Sequence, residues 1–211
     1  MNPLIIVIDD IFGAFLIMFV MLFYKWQEKK FIRKLTGLQG RKIAVLGMKG
    51  AGKTRFYKYL QQEDYVEGQT YEEKYPQFTY TKADGTKILI REGTDIGGGE
   101  EFIPLWYEKL LDESDSIVFV FDLFQYHNDT KYKIQTNARL EFIKHHMNKE
   151  KDILTLLTHI DQFKKKYKEA VNTFICDIKT KSYADIVLKN YAPVNMTDPK
   201  QLRIIEDKIF K

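Results

Sequence analysis

The chain has 211 residues, 45% of them hydrophobic, which is enough for one well-buried domain with an appendage and excludes two full catalytic domains. Its net charge of +4 is spread over interleaved lysine, aspartate and glutamate, so charge makes no case for a nucleic-acid partner. One cysteine, Cys176, excludes an internal disulfide; with no His/Cys ligand spacing around it, it is expected as a small core residue in a reducing compartment.

From Pro3 to Tyr24 the chain is apolar except for Asp9 and Asp10, and from Ile11 onward a helix would have no polar face. Residues 3–24 are therefore predicted to form a transmembrane helix rather than a surface one. No positive charge precedes it and Tyr24-Lys25-Trp26 follow, which does not suit a cleaved signal. Lys25, Lys29, Lys30, Arg33 and Lys34 crowd its C-terminal flank. By the positive-inside rule this orients a single-pass membrane protein with its globular part in the cytoplasm. Asp9 and Asp10 are expected near the headgroups, where a carboxylate costs less than at the bilayer centre; pairing with a partner membrane helix is the alternative. Residues 25–40 then make a basic juxtamembrane connector, and 41–211 the globular domain.

The stretch Lys42–Leu60 organises that domain. Ile43-Ala44-Val45-Leu46 is a short apolar run, as in a central parallel strand covered on both faces. Gly47-Met48-Lys49-Gly50-Ala51-Gly52-Lys53-Thr54 then fills G-x-x-x-x-G-K-[ST], a phosphate-binding loop, at every fixed position. Glycines let successive backbone N–H groups turn toward a phosphate chain, and the helix N-terminus that follows adds a favourable dipole. Gly47, Lys49, Gly50, Ala51, Gly52, Lys53 and Thr54 are thus candidate ligand contacts, with Lys53 for the β- and γ-phosphates and Thr54 for Mg²⁺.

Gln62–Tyr75 is polar and reads as a surface loop, with Thr70 the candidate to close over Mg²⁺ and the terminal phosphate. Phe78–Lys82 and Lys87–Arg91 flank Ala83-Asp84-Gly85-Thr86, predicting an antiparallel edge hairpin. Beyond it, Asp95-Ile96-Gly97-Gly98 places a carboxylate for Mg²⁺ at a strand end and a glycine, Gly98, whose backbone senses the γ-phosphate. Ile117–Phe121 and Ile153–Leu157 are buried strands, with a helix over Asn137–Met147 between them. The second delivers Thr158, His159 and Asp161 to the carboxyl edge, where open α/β sheets bind ligands. Asp161 also suits a helix N-cap. Phe163–Thr180 reads as an outer helix, Ile186–Val194 as a last strand, and Asp198-Pro199 as the start of a final helix with Leu202, Ile205 and Ile209 facing the core.

Asp95-Ile96-Gly97-Gly98 followed by Pro104-Leu105-Trp106 resembles the D-[VI]-G-G-x5-P-L-W pattern of Arf/Sar-type small GTPases, and KIAVLGMKGAGKT resembles their first strand and loop. The added anchor makes the layout similar to that of the β subunit of the signal recognition particle receptor. The resemblance implies an α/β, three-layer, Ras/Arf-like P-loop fold with a mostly parallel central sheet, GTP/GDP and Mg²⁺ as ligands, and a protein partner as output. It places the base at Asp161, the match to the family's N-K-x-D aspartate; Thr158 and His159 depart from that motif, which weakens guanine preference. Met196 stands in the family's base-contacting loop. Where the family carries the glutamine that orients attacking water, this chain has Gly99. Lys53, Gly98 and Glu100 are then the catalytic candidates, with Glu100 or Glu101 substituting for the missing glutamine, and hydrolysis is expected to be slow or partner-assisted. A constitutively loaded, non-cycling anchor module is the competing expectation.

Overall fold

The computed structural model describes residues 18, 21, 40–64, 72–148, 151 and 153–210. The chain divides into two units, Met1–Gln39 and Gly40–Lys211. Of the first, Met18 and Met21 are described, both helical and exposed. The expected span over 3–24 and the connector over 25–40 otherwise lie outside the described residues. Among those described, no helix is long and apolar enough to cross a membrane.

In the second unit the chain runs β1 (Ile43–Gly47), α1 (Lys53–Gln61), β2 (Glu72–Tyr75), β3 (Phe78–Thr81), β4 (Lys87–Ile90), β5 (Gly93–Ile96), a π-helical turn (Ile103–Tyr107) continuing as α2 (Glu108–Glu113), and β6 (Ser116–Asp122). Then come α3 (Leu123–Asn128), α4 (Thr130–His146), β7 (Ile153–Thr158), a 3-10 segment (Ile160–Lys166), α5 (Tyr167–Ile178), α6 (Ala184–Lys189), β8 (Tyr191–Pro193) and α7 (Pro199–Ile209).

The unbroken apolar runs make the sheet's centre. β1, β6, β7 and β8 pair in that order, all parallel, with Val45 opposite Val118 and Val118 opposite Leu154. Every residue of β1 and of β7 is buried. A strand with no exposed alternate position has both faces covered, which is what helical crossovers between parallel strands accomplish. The core between sheet and helices is aromatic: the rings of Phe121, Tyr126 and Phe174 meet pairwise at 5.2–5.5 Å. Each such ring, fully buried, contributes about 1.5–3 kcal/mol.

The hairpin forms as expected, Phe78 opposite Ile90 and Thr81 opposite Lys87, turning on Gly85 at φ 83°. Its second strand ends at Ile90, which bridges Arg41 in parallel, so the hairpin adjoins the start of β1. Glu72–Tyr75, expected as loop, is instead a strand antiparallel to β5, with Glu73 opposite Asp95. Its polar outer residues are exposed while Tyr75 is buried against Tyr57, ring centroids 4.7 Å apart.

Four other expectations change. The helix predicted from Asn137 begins at Thr130, because the Asp129 side chain accepts from the Lys131 and Tyr132 amides and caps it early. Phe163–Thr180 is interrupted at Lys164, whose φ of 51° kinks the 3-10 segment, and the α-helix begins only at Tyr167. Ile186–Val194 is split: Ala184–Lys189 is helical, burying Val187, and only Tyr191–Pro193 pairs as strand. Cys176, expected in the core, lies exposed on α5, whose buried stripe runs through Val171, Phe174 and Ile178. The final helix is as predicted, with Asp198 accepting from the Lys200 amide and Leu202, Ile205 and Ile209 buried.

Candidate functional site

At the C-terminal end of β1 the chain must turn while crowded by β6. A Cβ on Gly47, at φ 144°, would lie 1.9 Å from the Val120 carbonyl oxygen, so only glycine fits. The loop then climbs through Lys49 and Gly50, both exposed, to Gly52, the cap of α1. No side chain caps that helix, and the amides of Lys49, Gly50 and Gly52 donate no backbone hydrogen bond among the described residues. Three donors left free at a helix N-terminus form an anion cradle.

Lys53 is buried, its Nζ donating to the Met48 carbonyl at 3.0 Å. Burial lowers its pKa to about 8, opposed by the charge of Asp95 and reinforced by that of Arg139. An arriving polyanion would restore the full ammonium charge. Thr54 Oγ1 donates to Asp95 Oδ2 at 2.7 Å, while Asp95 Oδ1 is buried and has no partner among the described residues. Burial raises the Asp95 pKa, partly opposed by the Thr54 hydrogen bond and by Lys53. A hydroxyl and a carboxylate with an unused buried oxygen suit Mg²⁺, which takes one or two protein oxygens and fills its octahedron with phosphate and water. No cluster of three His, Cys, Asp or Glu residues occurs among the described residues, and Mg²⁺ bound in this way needs none.

β5 brings Gly98 against the loop. Its Cβ, were there one, would sit 2.1 Å from the Lys49 nitrogen. Behind both segments lies Arg139 of α4, 2% exposed, donating from Nη1 to the Gly47 carbonyl and from Nη2 to the Gly98 carbonyl, each at 2.9 Å. Tyr107, fully buried, accepts the Gly47 N–H at 3.1 Å and lies 3.3 Å from Arg139 Nη1.

On the far side β7 delivers Thr158, fully buried, with Oγ1 at 3.0 Å from the carbonyl oxygens of both Ala51 and Phe121, which ties this edge to the phosphate loop. His159 takes a left-handed turn at φ 58°, its Nδ1 3.0 Å from Thr158 Oγ1 and 3.4 Å from Asp122 Oδ2. Asp161 is exposed in the first turn of the 3-10 segment; the capping position belongs to His159, so Asp161 is not the N-cap. Met196 is buried beside Gly52, in a turn held by Asn195, whose Oδ1 accepts from the Thr197 amide.

Between these edges opens a cavity of about 640 Å³, within the usual range for a small-molecule site. Of the residues singled out in the sequence, Lys49, Gly50, Gly52, Lys53, Thr54, Gly98, His159, Asp161 and Met196 line it. Gly47, Ala51, Asp95 and Thr158 do not line it, though Asp95 bonds the lining residue Thr54. Thr70 lies outside the described residues. Glu100 turns away to accept from Gln135 Nε2, whereas Glu101 lines the cavity and folds its carboxylate over Gly99. Sequence reasoning passed over Arg139 and Tyr107. The available signal was a charged residue on the α4 stripe of Thr136, Leu140 and Ile143, all buried.

A parallel sheet whose first strand ends in an anion cradle, with the Asp95 carboxylate of a later strand bonded to the Thr54 hydroxyl beside that cradle, defines a P-loop nucleotide-binding protein. A sequence profile of the ADP-ribosylation factor family matches residues 28–192, and the chain belongs to that family. It is also similar to ADP-ribosylation factor-like protein 3 of Chlamydomonas reinhardtii, with 33% identity over 97 residues, 43% of this chain and 49% of the relative. The chain thus spans about half the length of that curated relative.

Proposed function

We propose that this chain is a membrane-anchored GTP-binding switch whose output is recruitment of a protein partner. One observation supports the nucleotide part: the loop residues and Lys53 line the same cavity as Asp161, so one space of about 640 Å³ is open to both a phosphate chain and a base. In this reading Lys53 and the loop amides hold the phosphates. Thr54, Asp95 and Thr70 would hold Mg²⁺, which would supply charge neutralisation to the phosphates. Asp161 accepts from the guanine edge, His159 and Met196 flank the base, and the Gly98 loop registers the terminal phosphate. The anchor is inferred from the apolar run 3–24 with its basic flank.

Gly99 brings no side chain to orient water, and Glu101 brings a carboxylate, which an anionic γ-phosphate repels. Intrinsic hydrolysis is therefore expected to be slow, with Glu101 or a partner's residue completing the site. Gly99 and the altered base motif at Thr158 and His159 favour a second reading, a constitutively loaded module that anchors its partner without cycling. Calorimetry with GTP, GDP and ATP in Mg²⁺ tests the first reading: no magnesium-dependent affinity for a guanine nucleotide refutes it. Release of pre-bound labelled nucleotide into excess unlabelled GTP separates the two, since a non-cycling module shows no exchange over hours. Resistance of the full chain to alkaline extraction from membranes tests the anchor.

A further inference from the structure

Arg139 is a permanent cation, 2% exposed, and among the described residues its bonding partners are neutral: two glycine carbonyls and the Tyr107 hydroxyl. Its Nε is buried without a partner among the described residues. A guanidinium kept out of water without a counter-ion is costly, and joining two carbonyls alone could be done by a neutral amide. What distinguishes the position is where the carbonyls belong. Gly47 opens the phosphate loop and Gly98 closes the D-x-G-G segment, and the two segments touch so closely that no side chain fits between Gly98 and Lys49.

The peptide plane converts this grip into an orientation. In a trans peptide the C=O and the following N–H point in opposite directions. With the Gly47 carbonyl held by Arg139, the Met48 N–H faces the other way and is used by the Val120 carbonyl at 3.0 Å. With the Gly98 carbonyl held likewise, the Gly99 N–H faces away from Arg139, donates to no group among the described residues, and belongs to a residue lining the cavity. One of the two opposed donors is therefore spent inside the fold and the other is left for a ligand.

We infer that Arg139 is a positioning residue for the terminal phosphate: by clamping the Gly47 and Gly98 carbonyls it aims the Gly99 N–H, one residue beyond the glycine the sequence points to, into the cleft, setting preference for triphosphate over diphosphate without touching nucleotide. This rests on the guanine-nucleotide reading above. Its cationic charge acts in the same sense, adding positive potential behind a loop that must receive a polyanion.

The test uses the full-length chain and measures Kd for GDP and for a non-hydrolysable GTP analogue with Mg²⁺, in wild type, Arg139→Gln, Arg139→Lys and Tyr107→Phe. Arg139→Gln is expected to lose about tenfold in the triphosphate-to-diphosphate affinity ratio, the lower end for one charge-assisted hydrogen bond, with GDP affinity falling much less, because GDP loses only the positive potential behind the loop. Arg139→Lys restores the charge but not the two-pronged grip and is expected to recover part of the ratio. Tyr107→Phe loosens the clamp and shifts the ratio about twofold in the same direction, and it decides the matter should Arg139→Gln not fold. Equal loss for both nucleotides, an unchanged ratio, or a wild type that holds both equally overturns the inference while leaving the nucleotide site intact. A wild type that binds neither overturns the proposed function, and this inference with it.

Discussion

Placing one methyl group on Gly98 tests how tightly the two nucleotide-facing loops are joined. The backbone there is not left-handed, so Gly98→Ala strains no dihedral and acts by contact alone. Its Cβ would lie 2.1 Å from the Lys49 nitrogen and 2.4 Å from both Lys49 Cα and the Met48 carbonyl carbon, where ordinary contact begins at 3.4 Å. Every one of these atoms is backbone, so no rotamer change relieves the clash and the loops must part by about 1 Å. That lengthens the 2.9 Å bond from Arg139 to the Gly98 carbonyl beyond hydrogen-bonding range. The overpacking costs about 1–3 kcal/mol and the lost bond to a buried cation about 1.5–3 kcal/mol. At about 2–4 °C per kcal/mol for a domain of this size, the melting temperature of the nucleotide-free protein falls by about 10 °C. Thermal unfolding followed by circular dichroism reads this directly, and combining Gly98→Ala with Arg139→Gln should cost clearly less than the two singly. A melting temperature within about 2 °C of wild type would refute the contact, and strict additivity would refute the link to Arg139.

Replacing Asp161 by Asn is expected to abolish guanine preference over adenine while leaving magnesium-dependent phosphate affinity in place, as competition between GTP and ATP would read; retained preference excludes Asp161 as the base contact. Phe174→Ala opens a hole among Phe121, Tyr126 and α5 and should destabilise the domain by about 3–5 kcal/mol in urea unfolding, far more than a change at exposed Cys176. Alkaline pH should weaken the fold. Burial, with the charge of Asp177 second, pushes the Tyr126 phenol up to about 12 from an ordinary value of 10.0. The fold therefore favours the neutral phenol, and the stability this contributes is full below pH 10 and lost as pH rises toward 12. Tyr126→Phe should flatten the fall in melting temperature between pH 9 and 11, and an identical fall in both proteins counts against the assignment.

What could be read from the chain was local. The phosphate loop, the Asp-Gly hairpin turn and the Asp198-Pro199 helix start are each specified within a few residues, by conformations that few side chains permit. The buried parallel strands announce themselves because residues covered on both faces must be apolar throughout. The family pattern at Asp95–Trp106 is likewise contiguous. Elements whose state depends on what packs against them were less legible: Glu72–Tyr75 is polar enough for a loop, and becomes a strand because β5 offers a partner and Tyr57 a place for Tyr75.

Ile186–Val194 is apolar enough for a strand, yet only three of its residues find an edge on β7. Cys176 shows the same dependence in reverse, since one residue's hydrophobicity says little about which way a helix turns its stripe. Which glutamate faces the cavity was decided by Gln135, a residue far along the chain that takes up Glu100 and leaves Glu101 inward. Sequence alone determined that a phosphate-gripping loop opens an α/β domain, because the conformations it needs are written residue by residue. Only the tertiary structure decided how that loop is coupled to Gly98, because the coupling runs through Arg139, 92 positions from Gly47, and a hydrogen bond between residues so far apart exists only once the sheet has brought their helix and strand ends together.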